Sequence, residues 1–260
     1  MVRKFLFFIT LSSLLFSQEI TLGVVPQQSP LELSKTWLKI IEYLNEKTGL
    51  KVEFKTEKSI PLFEEKLYSG AYDISYMNPY HFVVANEKQK YNAFIRSKEN
   101  IVGIILGRKT EKFDVTNLKD KTFVFPAPNA FAATLLPKYE LKKIYNFDID
   151  KDAKVLYVNS HDSVYKSVSR EVGDFGGGII RTFNNFKDEV DKNKLEIVYQ
   201  TKDYPSHPFA AHPKVDKVVI EKLSKAFLEM PKELKDLLSI EEFVYTTNKE
   251  FEIIKNLDMK

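Results

Sequence analysis

Short apolar runs alternate with amphipathic segments of helical spacing along most of the chain, and this order limits the fold more than any other feature. The run ITLGVV at 20–25 is typical of a buried strand, and the pair Ser29-Pro30 then predicts a helix start. One face of the following segment is apolar, formed by Leu33, Trp37, Ile40, Ile41 and Leu44. Because strand and helix keep alternating up to about Pro213, we predict an α/β fold with mixed, mainly parallel sheets flanked by helices.

Several helix boundaries are marked by capping residues. Asn78, followed by proline, and Ser160 are each predicted to cap the N-terminus of a helix. Asn129 is predicted to cap a third helix, which Pro137 should kink or divide because proline lacks the N–H that a helix interior needs.

Two neighbouring segments, NAFIRS at 92–97 and NIVGIILGRK at 100–109, look like paired strands. A further strand within GDFGGGII at 173–180 is rich in glycine. Its glycines are consistent with a closely packed strand or with backbone brought against a ligand, and the sequence leaves both open. They form neither a P-loop nor a dinucleotide-binding fingerprint.

The first 17 residues have the order of a secretory signal peptide. Arg3 and Lys4 precede an apolar run from Phe5 to Phe16, which is too short to span a bilayer comfortably, and cleavage is expected near Ser17. We therefore expect a periplasmic protein, with an uncleaved anchor as the alternative.

Composition argues against several classes of function. The 39 Lys+Arg and 36 Asp+Glu residues are interspersed, so no basic stripe predicts nucleic acid binding. The absence of cysteine excludes disulfides, thiolate metal sites and a cysteine nucleophile. The histidines lack the spacing of a zinc site, and no Gly-x-Ser-x-Gly elbow is present, so we predict no metal, no cofactor and no enzymatic activity.

About 240 residues follow the predicted signal peptide, enough for one large domain or two small ones. No linker separates two halves, so two domains would have to be joined by strands that cross between them. We predict one lobe from residues 18–103 plus 204–260 and a second from 104–203, with crossing strands at IVGIILGRK and LEIVYQTKDYPSHP.

Polar residues concentrate where strands give way to helices. In open α/β sheets ligands bind outside the carboxyl ends of strands, where helix N-termini present free N–H groups to anions. Three of the four histidines, His81, His161 and His207, lie at such points, and Arg181 directly follows a strand end. Arg181 could therefore supply forked donors to an oxyanion there, whereas the position of each single histidine is also compatible with chance. The fourth histidine, His212, is predicted to be structural.

Five segments resemble one protein family in their order and separation: DISYMNPYHFVVANE, FVFPAPNAFAATLLP, VNSHDSVYKSV, DFGGGIIRTF and YPSHPFAAHP. The chain resembles the phosphonate/phosphite/phosphate-binding periplasmic proteins, which are the receptors of ABC importers, over nearly all of its length after the signal peptide. The resemblance implies a type II periplasmic-binding fold, with two α/β lobes, two crossing strands and the ligand in the cleft between them. It also implies a monomer with an ABC permease as partner.

The resemblance is partial at the ligand site. Phosphonate-binding members hold the phosphonate with hydroxyls at a helix start, but the matching run here is Ala130-Phe131-Ala132-Ala133, with no hydroxyl before Thr134. His161 resembles the family's cleft histidine. Two positions that are acidic in some members fall near Arg181 and His207 in this chain. The amine of an aminoalkylphosphonate would therefore meet the positive charge of Arg181, which disfavours such a ligand. The predicted ligand-binding residues are Gln27, Gln28, Ser29, Tyr76, Asn78, Tyr80, His81, Asn129, Thr134, His161, Arg181, Thr182 and His207.

The expected function is therefore that of a periplasmic solute-binding protein of an ABC importer, which binds a small oxyanion such as phosphate, phosphite or a phosphonate. A sensory input module for a membrane histidine kinase or chemoreceptor is the alternative. An exported hydrolase is disfavoured because the sequence has no nucleophile–base motif. Since the hydroxyl cluster is missing, another oxyanion or a small organic acid stays open as the ligand.

Overall fold

Two β-sheets flanked by helices organise the chain in the computed structural model, which describes residues 19–257 and 259. The strands are β1 (Glu19–Val24), β2 (Lys51–Lys55), β3 (Ile74–Tyr76), β4 (Asn92–Ser97), β5 (Ile101–Arg108), β6 (Thr122–Phe125), β7 (Lys154–Tyr157), β8 (Phe175–Ile179), β9 (Leu195–Tyr204), β10 (Pro208–Ala211) and β11 (Phe243–Tyr245). The α-helices are α1 (Pro30–Thr48), α2 (Ile60–Tyr68), α3 (Pro79–Gln89), α4 (Leu136–Tyr145), α5 (Ile149–Asp152), α6 (His161–Ser169), α7 (Ile180–Asn184), α8 (Glu189–Lys192), α9 (Lys217–Leu228), α10 (Lys232–Leu237) and α11 (Glu252–Lys255). A π-helical turn at Phe131–Leu135 and 3₁₀ turns at Val115–Asn117 and Asn248–Phe251 complete the regular structure.

The predicted signal peptide, residues 1–17, lies outside the described residues. Within the described part of the chain, no helix has both the length and the apolar character that a bilayer span requires.

The two ends of the described chain build the first sheet, and its middle builds the second. The first sheet has the strand order β11-β4-β10-β3-β1-β2, and the second has the order β7-β6-β8-β5-β9. The chain passes to the second sheet through residues 98–100 and returns through residues 205–207. This architecture is the two-lobed fold that was predicted. The lobe boundaries at 103/104 and 203/204 stay a prediction.

Both sheets are mixed, and two details of the predicted pairing are wrong. Among the described strands, four neighbouring pairs are parallel and five are antiparallel, so parallel pairing does not dominate. The segments NAFIRS and NIVGIILGRK do not pair, because the link at 98–100 carries the chain from one sheet to the other. Strand β4 instead pairs with β10 and β11, and β5 pairs with β8 and β9.

Helix α1 covers the first sheet with the apolar face that its spacing predicts. It begins at the capping residue Ser29 and ends at Gly49, whose left-handed backbone (φ 68°) is typical of a helix C-cap. The ring centroid of Trp37 lies 5.3 Å from that of Tyr76 and 6.0 Å from that of Phe209. This packing fixes Tyr76, the last residue of β3, beside the space between the two sheets.

The helix predicted from Asn129 begins at Phe131 as the π-helical turn and continues as α4. Ala130 occupies the N-cap position, and the Asn129 amide instead donates to Glu64 Oε2 at 3.3 Å, so the predicted cap is wrong. The predicted division near Pro137 is confirmed as a change from π to α geometry. Pro137 lies in the first turn of α4, where its missing N–H is tolerated.

Glycines in the second sheet allow the π-helical turn to approach the strands closely. A Cβ atom at Gly103 of β5 would overlap the carbonyl oxygen of Ala132, and one at Gly177 of β8 would overlap that of Ala133. On the opposite face, the neighbouring glycines of β8 lie against side chains of α6. Close packing therefore accounts for this glycine-rich strand.

We expect Gly177→Ala to lower the free energy of unfolding by about 1–3 kcal/mol or more, because the methyl group would overlap the Ala133 carbonyl oxygen, which is main chain, as well as the Phe125 ring. Gly107→Ala is the matched control, since its Cβ would meet only side-chain atoms of Phe175 and Val198 at 3.2 Å. The control should change stability by less than about 1 kcal/mol. Urea unfolding measures both variants, and equal losses would contradict the packing argument.

Candidate functional site

A narrow cavity lies between the two sheets, beside the segments where the chain crosses, and its atom-free space, including the part open to solvent, is about 270 Å³. Most of its lining is apolar. Its polar lining residues are Gln27, Asn78, His161 and His207, all of which were predicted to bind ligand. Among the described residues, no acidic side chain lines this cavity.

Main-chain N–H groups at the start of the π-helical turn form one wall of the cavity. The N–H groups of residues 131–133 have no main-chain acceptor among the described residues. The first bonds of the turn are instead donated by Thr134 and Leu135 to the carbonyl of Ala130, at 2.7 and 3.2 Å. Free N–H groups at a helix start attract anions, so this wall can bind an anion without any side-chain hydroxyl.

His161 enters the cavity from the second sheet. Ser160 caps α6 as predicted, and the main-chain N–H of His161 donates across the cleft to the carbonyl of Gln27 at 3.2 Å. The ring Nδ1 lies 3.2 Å from Thr182 Oγ1, which lies 2.5 Å from the hydroxyl of Tyr165. These contacts fix the imidazole and leave Nε2 as the nitrogen available to a ligand. Tyr165 was not predicted from the sequence, where its helical spacing suggests a core residue.

His207 lies on the return crossing and is only 2% exposed. Its Nε2 lies 3.2 Å from Gln27 Nε2, and since an amide nitrogen only donates, this ring nitrogen accepts. Nδ1 then carries the proton, and it has no hydrogen-bond partner within the described residues. The ring centroid lies 5.3 Å from that of Tyr76, which supports the imidazole from one side.

Both cleft histidines are neutral at pH 7. Burial, assisted by the charge of Arg181, lowers the pKa of His161 to about 3. Burial also lowers the pKa of His207 well below its usual value, with further contributions from Arg181, His81 and His161. The two imidazoles therefore serve as uncharged hydrogen-bonding groups.

Arg181 lies two residues after the end of β8, in the first turn of α7, and its Nη2 donates to the hydroxyl of Tyr76 at 3.0 Å. It does not line the 270 Å³ cavity. It lines an adjoining pocket, together with Gln27, Gln28, Tyr76 and Thr182, whose atom-free space, including the part open to solvent, is about 510 Å³. The charge of Arg181 thus affects the electrostatic potential in the 270 Å³ cavity, while its side chain lines the 510 Å³ pocket.

Asn78 and Asn129 connect the two lobes on another side of the cavity. Asn78 caps α3, as predicted, by accepting from the N–H of His81 at 2.7 Å, and its amide donates to the carbonyl of Asn129 at 3.1 Å. The buried His81 ring lies behind this contact, with Nε2 2.9 Å from Glu64 Oε1, although the angle is not that of a hydrogen bond. Nothing in the sequence distinguishes Glu64 from the solvent-facing acids of an amphipathic helix, so it was not predicted.

Three other predicted residues make contacts away from the 270 Å³ cavity. Ser29 caps α1 and is exposed, Tyr80 packs against an apolar cluster, and Thr134 donates to the carbonyl of Ala127 at 2.8 Å. Contact of these and the other predicted residues with a ligand stays a prediction. In the described part of the chain, no group of three or more His, Asp or Glu side chains is arranged to hold a metal ion.

A profile of the protein family described as "ABC transporter, phosphonate, periplasmic substrate-binding protein" matches residues 22–251. The chain belongs to this family. Membership confirms the predicted resemblance and implies a small-molecule ligand, an ABC permease as partner, a periplasmic location and a role in transport rather than catalysis.

Individual relatives agree with this membership. The chain is 25% identical to the phosphate-import protein PhnD of Mycolicibacterium smegmatis over 235 residues, which cover 82% of this chain and 72% of the relative. The binding protein component of an ABC phosphonate transporter from Pseudomonas aeruginosa has a similar structure, with a TM-score of 0.84 at 17% identity over 93% of this chain and 86% of that one. PhnD1 from Prochlorococcus marinus, solved with methylphosphonate, also has a TM-score of 0.84 at 17% identity, over 92% of this chain and 96% of that one. These structures confirm the predicted fold class.

The neutral histidines predict a specific dependence of stability on pH. A histidine whose pKa is lowered on folding takes up a proton in the unfolded chain, near pH 6.5, before it does so in the folded one. Stability from His161 is therefore fully present above about pH 6.5 and falls as the pH decreases towards 3.

We expect His161→Gln to reduce the slope of unfolding free energy against pH by about 1.4 kcal/mol per pH unit between pH 4 and 6. Above pH 7.5 the stability difference between variant and wild type should be constant, which provides the internal control. Urea unfolding across this pH range tests the prediction. Parallel curves at all pH values would mean that the buried ring is protonated as readily as the unfolded one.

Proposed function

We propose that this protein is the receptor that binds a small phosphorus oxyanion, phosphate, phosphite or a phosphonate, in the cleft between its lobes and delivers it to an ABC permease. One observation carries the proposal: the free N–H groups of residues 131–133 and the neutral imidazoles of His161 and His207 converge on a cavity without acidic lining residues. The names of the relatives from Mycolicibacterium smegmatis and Prochlorococcus marinus support a phosphorus oxyanion as the ligand class.

The chemistry of this lining favours an anion. A phosphorus oxyanion presents several oxygens that accept hydrogen bonds, and the cavity offers main-chain N–H groups, the amide of Gln27 and two imidazoles. The Asn78 amide nitrogen already contacts the Asn129 carbonyl and His81 Nε2. Helix starts add a favourable dipole at the π-helical turn and at α6. Arg181 raises the positive potential of the cavity from its border, which lowers the histidine pKa values and favours a bound anion at the same time.

The alanines at 130, 132 and 133 change how the oxyanion is held. All three are buried and line the cavity, so their methyl groups reduce its width. The contacts at the helix start must then come from the main chain, whose N–H groups are fixed by the helix and cost no side-chain entropy to order. We infer a narrow site suited to a compact oxyanion.

Ligand binding would be coupled to closure of the lobes. Hydrogen bonds already connect them around the cavity: His161 N–H to the Gln27 carbonyl, Arg181 to Tyr76, and the Asn185 amide to Ser239 Oγ at 2.7 Å. A ligand that touches residues of both lobes would favour this closed arrangement over an open one, and a permease would recognise the closed form.

Thermal melting of the purified protein against phosphate, phosphite, methylphosphonate, sulfate and acetate tests the proposed ligand class. A ligand at a hundred times its Kd should add about 2.7 kcal/mol of stability. We expect a shift with at least one phosphorus oxyanion and a smaller shift, or none, with acetate. If none of the phosphorus compounds shifts the melting temperature of a folded sample, the proposal is overturned.

We expect His161→Leu to weaken binding of that oxyanion by about 1–3 kcal/mol, because it removes a buried hydrogen-bonding group from the cavity. Isothermal titration calorimetry measures the loss. His212→Leu is the matched control, since His212 lies outside the cavity, where its Nδ1 accepts from the N–H of Lys214 at 3.2 Å. Equal affinities for the two variants would remove His161 from the site.

A further inference from the structure

Arg181 differs from the other arginines in the described residues because it lacks a carboxylate partner. Arg96 pairs with Glu250 at 2.8 Å, and Arg108 and Arg170 also form ion pairs. Arg181 is half-buried, and within the described residues its single hydrogen bond goes to the hydroxyl of Tyr76. A guanidinium has five N–H donors, so most of its hydrogen-bonding capacity is unused.

The 510 Å³ pocket that Arg181 lines has no acidic side chain among its described residues. An anion in this pocket would therefore lie beside the positive charge of Arg181 without an acidic lining residue. The side chains of Gln28 and Thr36 also line it, and neither makes a hydrogen bond within the described part of the chain. They add uncharged donors to the guanidinium.

A different pocket borders Arg181 on its other side, and it is lined by Glu99 and Glu241. Glu99 is already engaged with the hydroxyl of Ser97. These acids make that side unfavourable for an anion, so an anionic group should prefer the 510 Å³ pocket.

The 510 Å³ pocket adjoins the 270 Å³ cavity. Val25 and Gln27 line both spaces. Tyr76 connects them as well, because its hydroxyl contacts Arg181 and its ring lies against His207. A short, unbranched molecule could therefore place one end against the π-helical turn and the other against Arg181.

We propose that the 510 Å³ pocket is a subsite for a carboxylate on the same ligand, so that the preferred substrates are short phosphonocarboxylates, with the phosphonate in the 270 Å³ cavity and the carboxylate on Arg181. This inference rests on the proposed function, since it assumes that the phosphorus group occupies that cavity. Guanidinium and carboxylate match in a bidentate, charge-assisted geometry, which explains why an arginine rather than a lysine suits this position. An alkyl group of the same length would leave the guanidinium donors without a partner in the closed cleft.

Calorimetry with two matched ligand pairs tests this proposal: phosphonoacetate against propylphosphonate, and 3-phosphonopropionate against butylphosphonate. The two pairs differ in chain length, so that the test covers two spacings between phosphonate and carboxylate. We expect the carboxylate to bind at least about tenfold tighter than its alkyl partner at one of the two lengths. Methylphosphonate serves as the reference for the phosphorus group alone.

Variants assign the preference to Arg181. In Arg181→Met the ratio of the two Kd values should fall to about one or below, and Arg181→Lys should keep only part of it because a lysine lacks the forked geometry. Lys187→Met removes a positive charge from an exposed residue outside both spaces, and it should leave the ratio unchanged. Thermal melting confirms that each variant is folded.

The outcomes separate the two proposals. If methylphosphonate and the alkylphosphonates bind but neither carboxylate binds more tightly, the receptor function stands and the carboxylate subsite is wrong. If the preference persists in Arg181→Met, the carboxylate lies elsewhere and the subsite is wrong too. If no phosphonate binds at all, the proposed function fails, and this inference fails with it.

Discussion

The contact between the π-helical turn and the glycines of the second sheet is the constraint on which the rest of the cleft depends. Because Gly103 and Gly177 have no side chain, the carbonyls of Ala132 and Ala133 rest directly on strands β5 and β8. The turn is held against the sheet from behind, and its N–H groups are left unpaired on the side of the cavity. An anion site made from main chain needs such support, because no side-chain rotamer can adjust the donors after the backbone has been placed.

Electrostatics in the cleft follow from burial more than from formal charge. Imidazoles removed from water lose their tendency to take up a proton, and the nearby guanidinium makes protonation still less favourable. The result is a site whose donors stay uncharged over the physiological pH range while Arg181 alone supplies a permanent positive charge at the border. Dipoles that are fixed before the ligand arrives favour the anion without a large cost of rearrangement.

Local sequence signals predicted what depends on local geometry. Asn78 and Ser160 cap their helices because a cap involves only the first turn, and His161 and His207 lie at the cleft because strand ends and helix starts meet there. Asn129 has the same capping chemistry, yet its amide contacts Glu64 of the other lobe, a partner 65 residues away that no spacing reveals. The predicted pairing of β4 with β5 is wrong for the same reason. A three-residue link can join strands of two different sheets as well as neighbouring strands of one sheet. A residue can indicate a site in the sequence without contacting the ligand. Whether it makes that contact depends on long-range packing, which the neighbouring residues in the sequence do not reveal.

Main-chain donors have a consequence for selectivity. A hydroxyl cluster can be tuned residue by residue, whereas N–H groups of a helix start accept any oxyanion of suitable size with similar geometry. Discrimination among oxyanions in this cleft must therefore come from the groups around these N–H donors, which are the alanine methyl groups that limit the width of the cavity and the side chains that border it. In the proposed site, the apolar lining would exclude bulky groups near the phosphorus atom, and the guanidinium of Arg181 would favour a ligand with a second negative charge. In the proposed site, selectivity would then depend less on the group bound by the main-chain N–H donors than on the rest of the ligand.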